Sequence, residues 1–375
     1  MTDTLQALID AVRDAIAAKR PLRIRGHGSK DFYGGSLQGT VLDTTAHSGI
    51  VSYEPTELVI TARAGTPLAE LEAALAEKGQ CLAFEPPRFG GRGTVGGMVA
   101  AGLSGPSRAS VGGVRDYVLG MQLINGRAEH LTFGGQVMKN VAGYDVTRLT
   151  VGSLGILGVL TEVSLKVMPV MPAEATLVFE IDHGQALDQL NAWGAQPLPL
   201  NASRWAQGDA PPGESGQLYV RLRGAAAAVN AAISKMTQDL PGELVDNAQA
   251  GPDWSAWRDQ TLAFFNAADH PDEALWRLSL PQTGPALNLP WPQLMEWHGG
   301  LRWVWAPESE LQRLRDLTQA AEGFTTLFRA ASASTIRVTG HFEPLEKPNN
   351  QIHVRLKAEF DPAHIFNPGR LVSSL

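Results

Sequence analysis

The sequence predicts a mixed α+β protein of two domains with a short C-terminal segment, and three observations carry that expectation. Over residues 1–171 short amphipathic helices alternate with short strands. Beyond Pro169 and Pro172 the character changes: all nine tryptophans fall between Trp193 and Trp305, and proline becomes common. Glycine is concentrated, with 17 of the 39 glycines between Gly90 and Gly158. A backbone so bare can lie directly against something large and flat, where side chains would stand in the way. At 375 residues the chain is long enough for two substantial cores.

The elements follow in order. Leu5, Leu8, Ile9, Val12 and Ile16 recur at helical spacing over residues 3–19, and Pro21 ends that helix. Residues 22–25 read as a strand that runs into Gly26-His27-Gly28, and residues 41–43 and 59–63 as further strands. Thr66 as N-cap and Pro67 in the first turn open a helix over 68–78, with Gly79 as its stop. Residues 118–124 and 130–133 form a hairpin around Asn125-Gly126, and 159–167 another strand. In the second half, strands are expected at 177–181, 218–223 and 275–280, and helices at 225–240 and 308–322. The last segment offers a helix at 353–360 and then Phe366-Asn367-Pro368-Gly369-Arg370.

Composition excludes several functions. A net charge of −7 leaves no basic surplus to neutralise nucleic-acid phosphates. No apolar run approaches the ~18 residues of a membrane span, and the first ten residues lack the basic and apolar regions of a signal peptide. The single cysteine, Cys81, fits a reducing cytoplasm and a buried structural role. The nine histidines show no i, i+4 pair and no His-Glu-x-x-His, so no metal site is expected.

Four motifs carry the chemistry. Arg25-Gly26-His27-Gly28-Ser29-Lys30 stands where a strand ends, and successive N–H groups of a tight glycine turn form a nest for anionic oxygen. The second motif is Thr94 to Gly105. Within it, Gly91-Arg92-Gly93-Thr94-Val95-Gly96 matches the nicotinamide-cofactor fingerprint, but Glu85-Pro86-Pro87-Arg88 stands where that fingerprint needs a strand. The third is Lys139-Asn140-Val141-Ala142-Gly143-Tyr144-Asp145, and the fourth Gly152-Ser153-Leu154-Gly155-Ile156-Leu157-Gly158-Val159-Leu160-Thr161. Taken singly, each is equally a turn or a tight helix–strand connection.

Together, in this order, they resemble the FAD-binding domain of the vanillyl-alcohol oxidase / p-cresol methylhydroxylase (PCMH) family. The resemblance covers about residues 1–171, and the closest likeness is to the 2-hydroxy-acid dehydrogenase branch, which includes the flavin subunits of bacterial glycolate oxidases. It implies a PCMH-type FAD-binding domain of two α/β subdomains at 1–171. An α+β cap domain would follow at 172–340, with a C-terminal segment, 341–375, packing back on the FAD domain. It nominates Arg25, Gly26, His27, Gly28, Ser29 and Lys30 for the FAD pyrophosphate. Thr94, Gly96, Gly97, Gly105, Gly152, Ser153, Gly155, Val159 and Asn367 are nominated for the rest of the cofactor.

Two departures shape the functional expectation. Relatives that hold FAD covalently use a histidine where this chain has Ser29, so the FAD is expected to be non-covalent. The His-x-Gly-Asp-Gly-Asn stretch of complete 2-hydroxy-acid dehydrogenases is missing, which leaves His341 and His353 as the remaining candidates for a catalytic role. The resemblance implies an FAD-binding subunit of a complex that oxidises glycolate to glyoxylate. Its partners would be a larger FAD subunit and a separate iron–sulfur subunit, because one cysteine cannot hold a cluster. Its place would be the cytoplasm, peripheral to the inner face of the membrane through the complex. The alternatives are an autonomous FAD-dependent oxidase or dehydrogenase and a non-catalytic flavin-bearing scaffold. The tryptophan-rich half is open between a subunit interface, with Trp254, Trp257, Trp291 and Trp297 foremost, and plain core packing.

Overall fold

The computed structural model describes residues 3–135, 145–207, 215–266, 269–331 and 341–372. They divide into two compact units: the described residues of 1–104, 113–169 and 337–375 in the first, and those of 105–112 and 170–336 in the second. Nothing in the periodicity of the sequence marks 105–112 as part of the second unit.

In the first unit, α1 (Asp3–Ala17) buries Leu8, Ile9, Val12 and Ala15. These pack with Leu22 of β1 (Leu22–Arg25) and Leu42 of β2 (Thr40–Asp43). The two strands are parallel, in register from Leu22↔Thr40 to Arg25↔Asp43, so the chain between them must cross over as a loop. Phe366 bridges Leu22 in parallel, which lays the C-terminal segment along this ribbon.

A second layer follows, with β3 (Ile50–Glu54), β4 (Val59–Arg63), α2 (Leu68–Ala76), β5 (Gln80–Cys81) and α3 (Val95–Ala101). After α4 (Arg108–Val111), which belongs to the second unit, come β6 (Val118–Ile124), β7 (His130–Gly134), α5 (Val146–Thr150), β8 (Val159–Lys166) and β9 (Met168–Pro169). The sheet is antiparallel in the order β3-β4-β8-β6-β7. Leu71 and Leu75 of α2 and Met98 and Val99 of α3 pack on Ile60, Val163 and Leu165 of this sheet.

One local expectation is corrected. Pro67, not Thr66, is the N-cap of α2, and no side chain caps that end. The Thr66 hydroxyl is spent elsewhere, accepting from Gly49 N (2.9 Å) and donating to Gly49 O (3.2 Å). Residues 82–93 contain no strand, so the nicotinamide-type match lacks its required context. The glycine stretch instead becomes a helix, α3, capped by the Thr94 hydroxyl and ended by Gly102 in the left-handed region.

The second unit is one antiparallel sheet of eight strands in the order β13-β10-β12-β11-β15-β16-β14-β17. These are β10 (Ala173–Ile181), β11 (Leu200–Gln207), β12 (Gly216–Gly224), β13 (Glu243–Val245), β14 (Ala274–Ser279), β15 (Gln293–Glu296), β16 (Leu301–Ala306) and β17 (Phe324–Arg329). Leu177, Phe179, Leu218 and Val220 meet α6 (His183–Gly194) and α7 (Ala226–Asp239) on one face. Thr176, of opposite parity to Leu177, accepts the indole N–H of Trp254 from α8 (Asn247–Arg258), so α8 lies on the other face. Trp254, Trp257 and Trp297 are buried within the unit, which favours core packing over an exposed interface for these three; Trp291 packs partly buried against α9 (Leu311–Ala320). The expected helix at 353–360 begins earlier, as α10 (Asn349–Phe360) in the first unit. No described helix is long and apolar enough to cross a membrane.

Candidate functional site

The first unit contains a cavity of about 820 Å³ of open space, its mouth included, where the loop after β1, the glycine face of α3 and the turn before β8 converge. Arg25, Gly26, His27, Gly28, Ser29 and Lys30 line it, with Thr94, Gly96 and Gly97 of the α3 end, Gly155, and Asn367 of the C-terminal segment. These elements can converge because side chains are missing where backbones meet. A Cβ on Gly96 would stand 2.7 Å from Ala64 Cβ, so only glycine lets α3 lie this close to the end of β4. Gly28, at φ +72°, turns the first loop back on itself.

The N–H groups of Gly26, His27, Gly28 and Ser29 meet no acceptor among the described residues. Four successive donors facing a cavity form an anion nest, and unpaired backbone N–H groups are otherwise rare. Cations surround it. Arg25 Nε donates to Asp31 Oδ2 at 2.8 Å, and Arg23 Nε is buried without an acceptor among the described residues. Arg370 donates to the carbonyls of Gly35, Lys30 (3.1 Å) and Asp31 (3.2 Å). Burial pushes the Arg370 guanidinium down to about 10, with the nearby Arg23 adding to the effect and Asp31 opposing it.

Some nominated residues lie elsewhere. Gly105 belongs to the second unit, where its carbonyl accepts the Trp297 indole N–H at 3.0 Å. Gly152 and Ser153 do not line the cavity, their N–H groups donating to Val99 O and Thr150 O. Val159 is fully buried among Ile124, Ala128 and Phe366, and its strand neighbours Gly158 and Leu160 face the cavity instead. Asn367 lines the cavity, yet its amide is consumed by the protein: Oδ1 accepts from Ile24 N (2.8 Å) and Nδ2 donates to Leu154 O (2.6 Å). His341 is buried and His353 half-buried, and neither lines the cavity. Residues 139–144 of the third motif lie outside the described residues.

Sequence reasoning passed over Arg23, Asp31, Thr44, Ala64, Gly158 and Arg370, all of which line the cavity. For Arg23 a signal existed, since strand alternation puts it on the same side as Arg25.

Compared with known proteins, the chain is 44% identical to the glycolate oxidase subunit GlcE of Escherichia coli (strain K12) over 373 residues, 100% of this chain and 99% of that protein. It belongs to the GlcE family of glycolate oxidase subunits. Residues 2–148 match the family model described as FAD binding domain, and FAD is the cofactor. The glycolate oxidase subunit GlcD of Bacillus subtilis (strain 168) is 32% identical over 163 residues, 42% of this chain and 34% of that protein. A D-lactate dehydrogenase of Anaerostipes hadrus is 32% identical over 39% of this chain and 30% of that protein. A solved alkyldihydroxyacetonephosphate synthase shares the fold, with a TM-score of 0.67 at 13% identity over 97% of this chain and 75% of that one. These matches agree with the PCMH-type α+β architecture expected from the sequence.

In this GlcE-family chain the cavity fits such a cofactor by its own chemistry. Unpaired N–H donors and the orphaned Arg23 Nε suit a pyrophosphate, and the bare α3 wall suits a flat ring system. The His27 imidazole is turned to Arg92 O at 3.0 Å, which leaves the backbone N–H as the group it offers the cavity.

The second unit holds a separate constellation that the sequence did not mark. The buried Glu296 carboxyl accepts indole N–H bonds from Trp257 and Trp303. Burial pushes it up to about 7, against the pull of those two bonds and of Arg277 and Arg204. Arg108 and Arg277 lie over the Trp297 ring at 4.9 and 5.2 Å. Trp297, His298 and Gly299 are all left-handed, at φ 56°, 55° and 97°, a strained run that brings His298 Nε2 to Ser110 Oγ at 3.1 Å. Burial holds His298 down to about 4. These residues come from separate strands and loops, so no local motif could announce them. Among the described residues no group of three or more His, Cys, Asp or Glu could hold a metal.

Proposed function

We propose that this chain is the FAD-binding subunit of a glycolate oxidase complex, in which glycolate is oxidised to glyoxylate and the electrons pass to an iron–sulfur partner subunit. The observation that carries the reading is full-length likeness to GlcE combined with a cavity whose unmet donors match a dinucleotide. FAD, when bound, supplies the two-electron acceptor. The N–H groups of Gly26 to Ser29, with Arg23, Arg25 and Lys30, hold the pyrophosphate. Thr94, Gly96 and Gly97 form one wall and Gly155 the other, and the attachment is non-covalent because Ser29 offers no imidazole. A single cysteine provides no cluster ligands, which supports electron transfer to a partner, with a larger FAD subunit completing the assembly. The complex places the chain in the cytoplasm, peripheral to the inner face of the membrane.

One observation favours a second reading, an autonomous oxidase or dehydrogenase. Glu296, titrating near neutrality beside two guanidinium groups, has the character of an acid–base group. A single experiment separates the two: the absorption spectrum of the purified chain, followed by anaerobic addition of glycolate. A yellow protein that stays oxidised supports the partner-dependent subunit. Rapid bleaching establishes that this chain oxidises glycolate by itself, and a colourless protein that takes up no added FAD overturns the proposal.

A further inference from the structure

The C-terminal segment is anchored within the first unit by a pair that does not line the cavity. Lys357 and Asp361, one turn apart on and just after α10, have side chains only 1% and 0% exposed and meet at 2.7 Å. Every donor of the Lys357 ammonium is used: it donates to Asp361 Oδ2, to Ile156 O (2.7 Å) and to Phe366 O (2.9 Å). The carboxylate in turn accepts from Ile365 N (3.2 Å) and Phe366 N (2.8 Å). The pair thus fixes Phe366 on both its N–H and its C=O. The next residue, Asn367, ties β1 to the 154 turn through Ile24 N and Leu154 O, and three residues on Arg370 gathers the carbonyls of Gly35, Lys30 and Asp31. Those carbonyls belong to the loop that presents the unpaired N–H groups, so its shape is held from behind by residues more than three hundred positions away.

We propose that the buried Lys357–Asp361 pair is a latch that, through Asn367 and Arg370, preorganises the N–H nest at Gly26 to Ser29 for the phosphates of the dinucleotide. Lys357 and Asp361 are positioning residues. The inference rests on the placement of the FAD pyrophosphate proposed above. A nest whose donors must converge on one anion loses binding strength when its loop relaxes, because the ordering is then charged to the ligand. Coupling is reciprocal, so FAD should in turn protect the latch.

The test compares FAD with riboflavin, which lacks the phosphates, by fluorescence titration of the full-length apoprotein well below its unfolding transition. Losing one partner of a buried pair strands a charge, so the variant is the double change Lys357→Met/Asp361→Asn, whose residues do not line the cavity, and Arg370→Met, which does line it, is the comparison for loss of a cavity cation. In the wild type FAD binds more tightly than riboflavin. In both variants that preference falls roughly tenfold or more, the equivalent of one charge-assisted hydrogen bond, while riboflavin affinity holds. Hydrogen exchange gives a second readout: FAD slows exchange at residues 22–33 and 361–372 together in the wild type, and the double variant uncouples them. A wild type that prefers FAD together with a double variant that keeps the preference overturns the latch alone. A wild type that binds both flavins equally overturns the placement of the pyrophosphate, and the latch with it.

Discussion

Gly96→Ala is the most direct probe of why the cavity exists. The added methyl would sit 2.7 Å from Ala64 Cβ, 3.0 Å from Ala64 O and 3.3 Å from Ala64 Cα. Carbon pairs are comfortable at ~3.5–4.0 Å, so α3 must retreat by ~1 Å, and none of the opposing atoms is the end of a flexible side chain. Overpacking of this kind costs ~1–3 kcal/mol. Replacing a helical glycine returns ~1 kcal/mol of propensity, so the net expectation is a loss of up to ~2 kcal/mol. Because Gly96 also lines the cavity, FAD affinity should fall as α3 moves. Urea unfolding of the apoprotein followed by FAD titration reads both effects. The size swap Gly96→Ala/Ala64→Gly should recover most of the stability, since it removes the methyl that clashes. A single variant more stable than the wild type, or a double variant no better than a destabilised single, refutes the close-approach argument.

Other expectations follow from buried titratable groups. His183 and His298 are each held down to about 4 by burial, below the ordinary 6.5. The unfolded chain takes up these protons first, so their contribution is intact above pH ~6.5 and lost as pH falls towards ~4, by up to ~3 kcal/mol each. Urea midpoints should drop across that window, and His298→Asn should flatten the drop. Glu296 has the opposite sign: raised to about 7 from 4.5, it is neutral in the fold while the unfolded chain is already ionised. Its stabilising contribution is therefore present below pH ~4.5 and lost as pH rises through ~7. Glu296→Gln should abolish a pH-dependent tryptophan fluorescence change centred near pH 7, and a change that persists would assign it to another group.

How much was legible in the sequence depended on where the chemistry resides. The first loop could be read because what it offers the cavity lies in the backbone, and backbone chemistry is written in glycine: Gly26 and Gly28 marked the turn whose N–H groups line the cavity. β6 was legible from the Asn125-Gly126 turn that follows it, and β8 from hydrophobic alternation. Where tertiary packing decides, local rules failed. Thr66 stands where an N-cap should, yet Gly49 claims its hydroxyl. α8 went unread because Gly251-Pro252 interrupts it, although Trp254 and Trp257 pin it to the sheet. Val159 stood in the right motif but one residue off, and in a strand one residue is a change of face. Glu296, Arg277 and His298 form a constellation only after the eight strands are ordered, so no stretch of sequence could have shown it.

Net charge is the remaining point where the whole and the part disagree. The chain carries −7, yet Arg23, Arg25, Lys30 and Arg370 gather around the cavity with Asp31 as the acid lining it. The total argues against a polyanionic partner, because that would need a broad basic surface. It says nothing about a ligand with two phosphates, which meets only charges within a Debye length. Raising ionic strength from about 0.01 to about 0.1 M shortens that length from ~30 to ~10 Å. The distant acidic surface is then screened, while cations in direct contact with the ligand are screened much less. FAD binding should therefore change little, or strengthen slightly, over that range, and riboflavin should be indifferent. If FAD binding instead weakens steeply, long-range steering rather than the local nest would be holding the phosphates. The backbone donors of Gly26 to Ser29 would then be secondary.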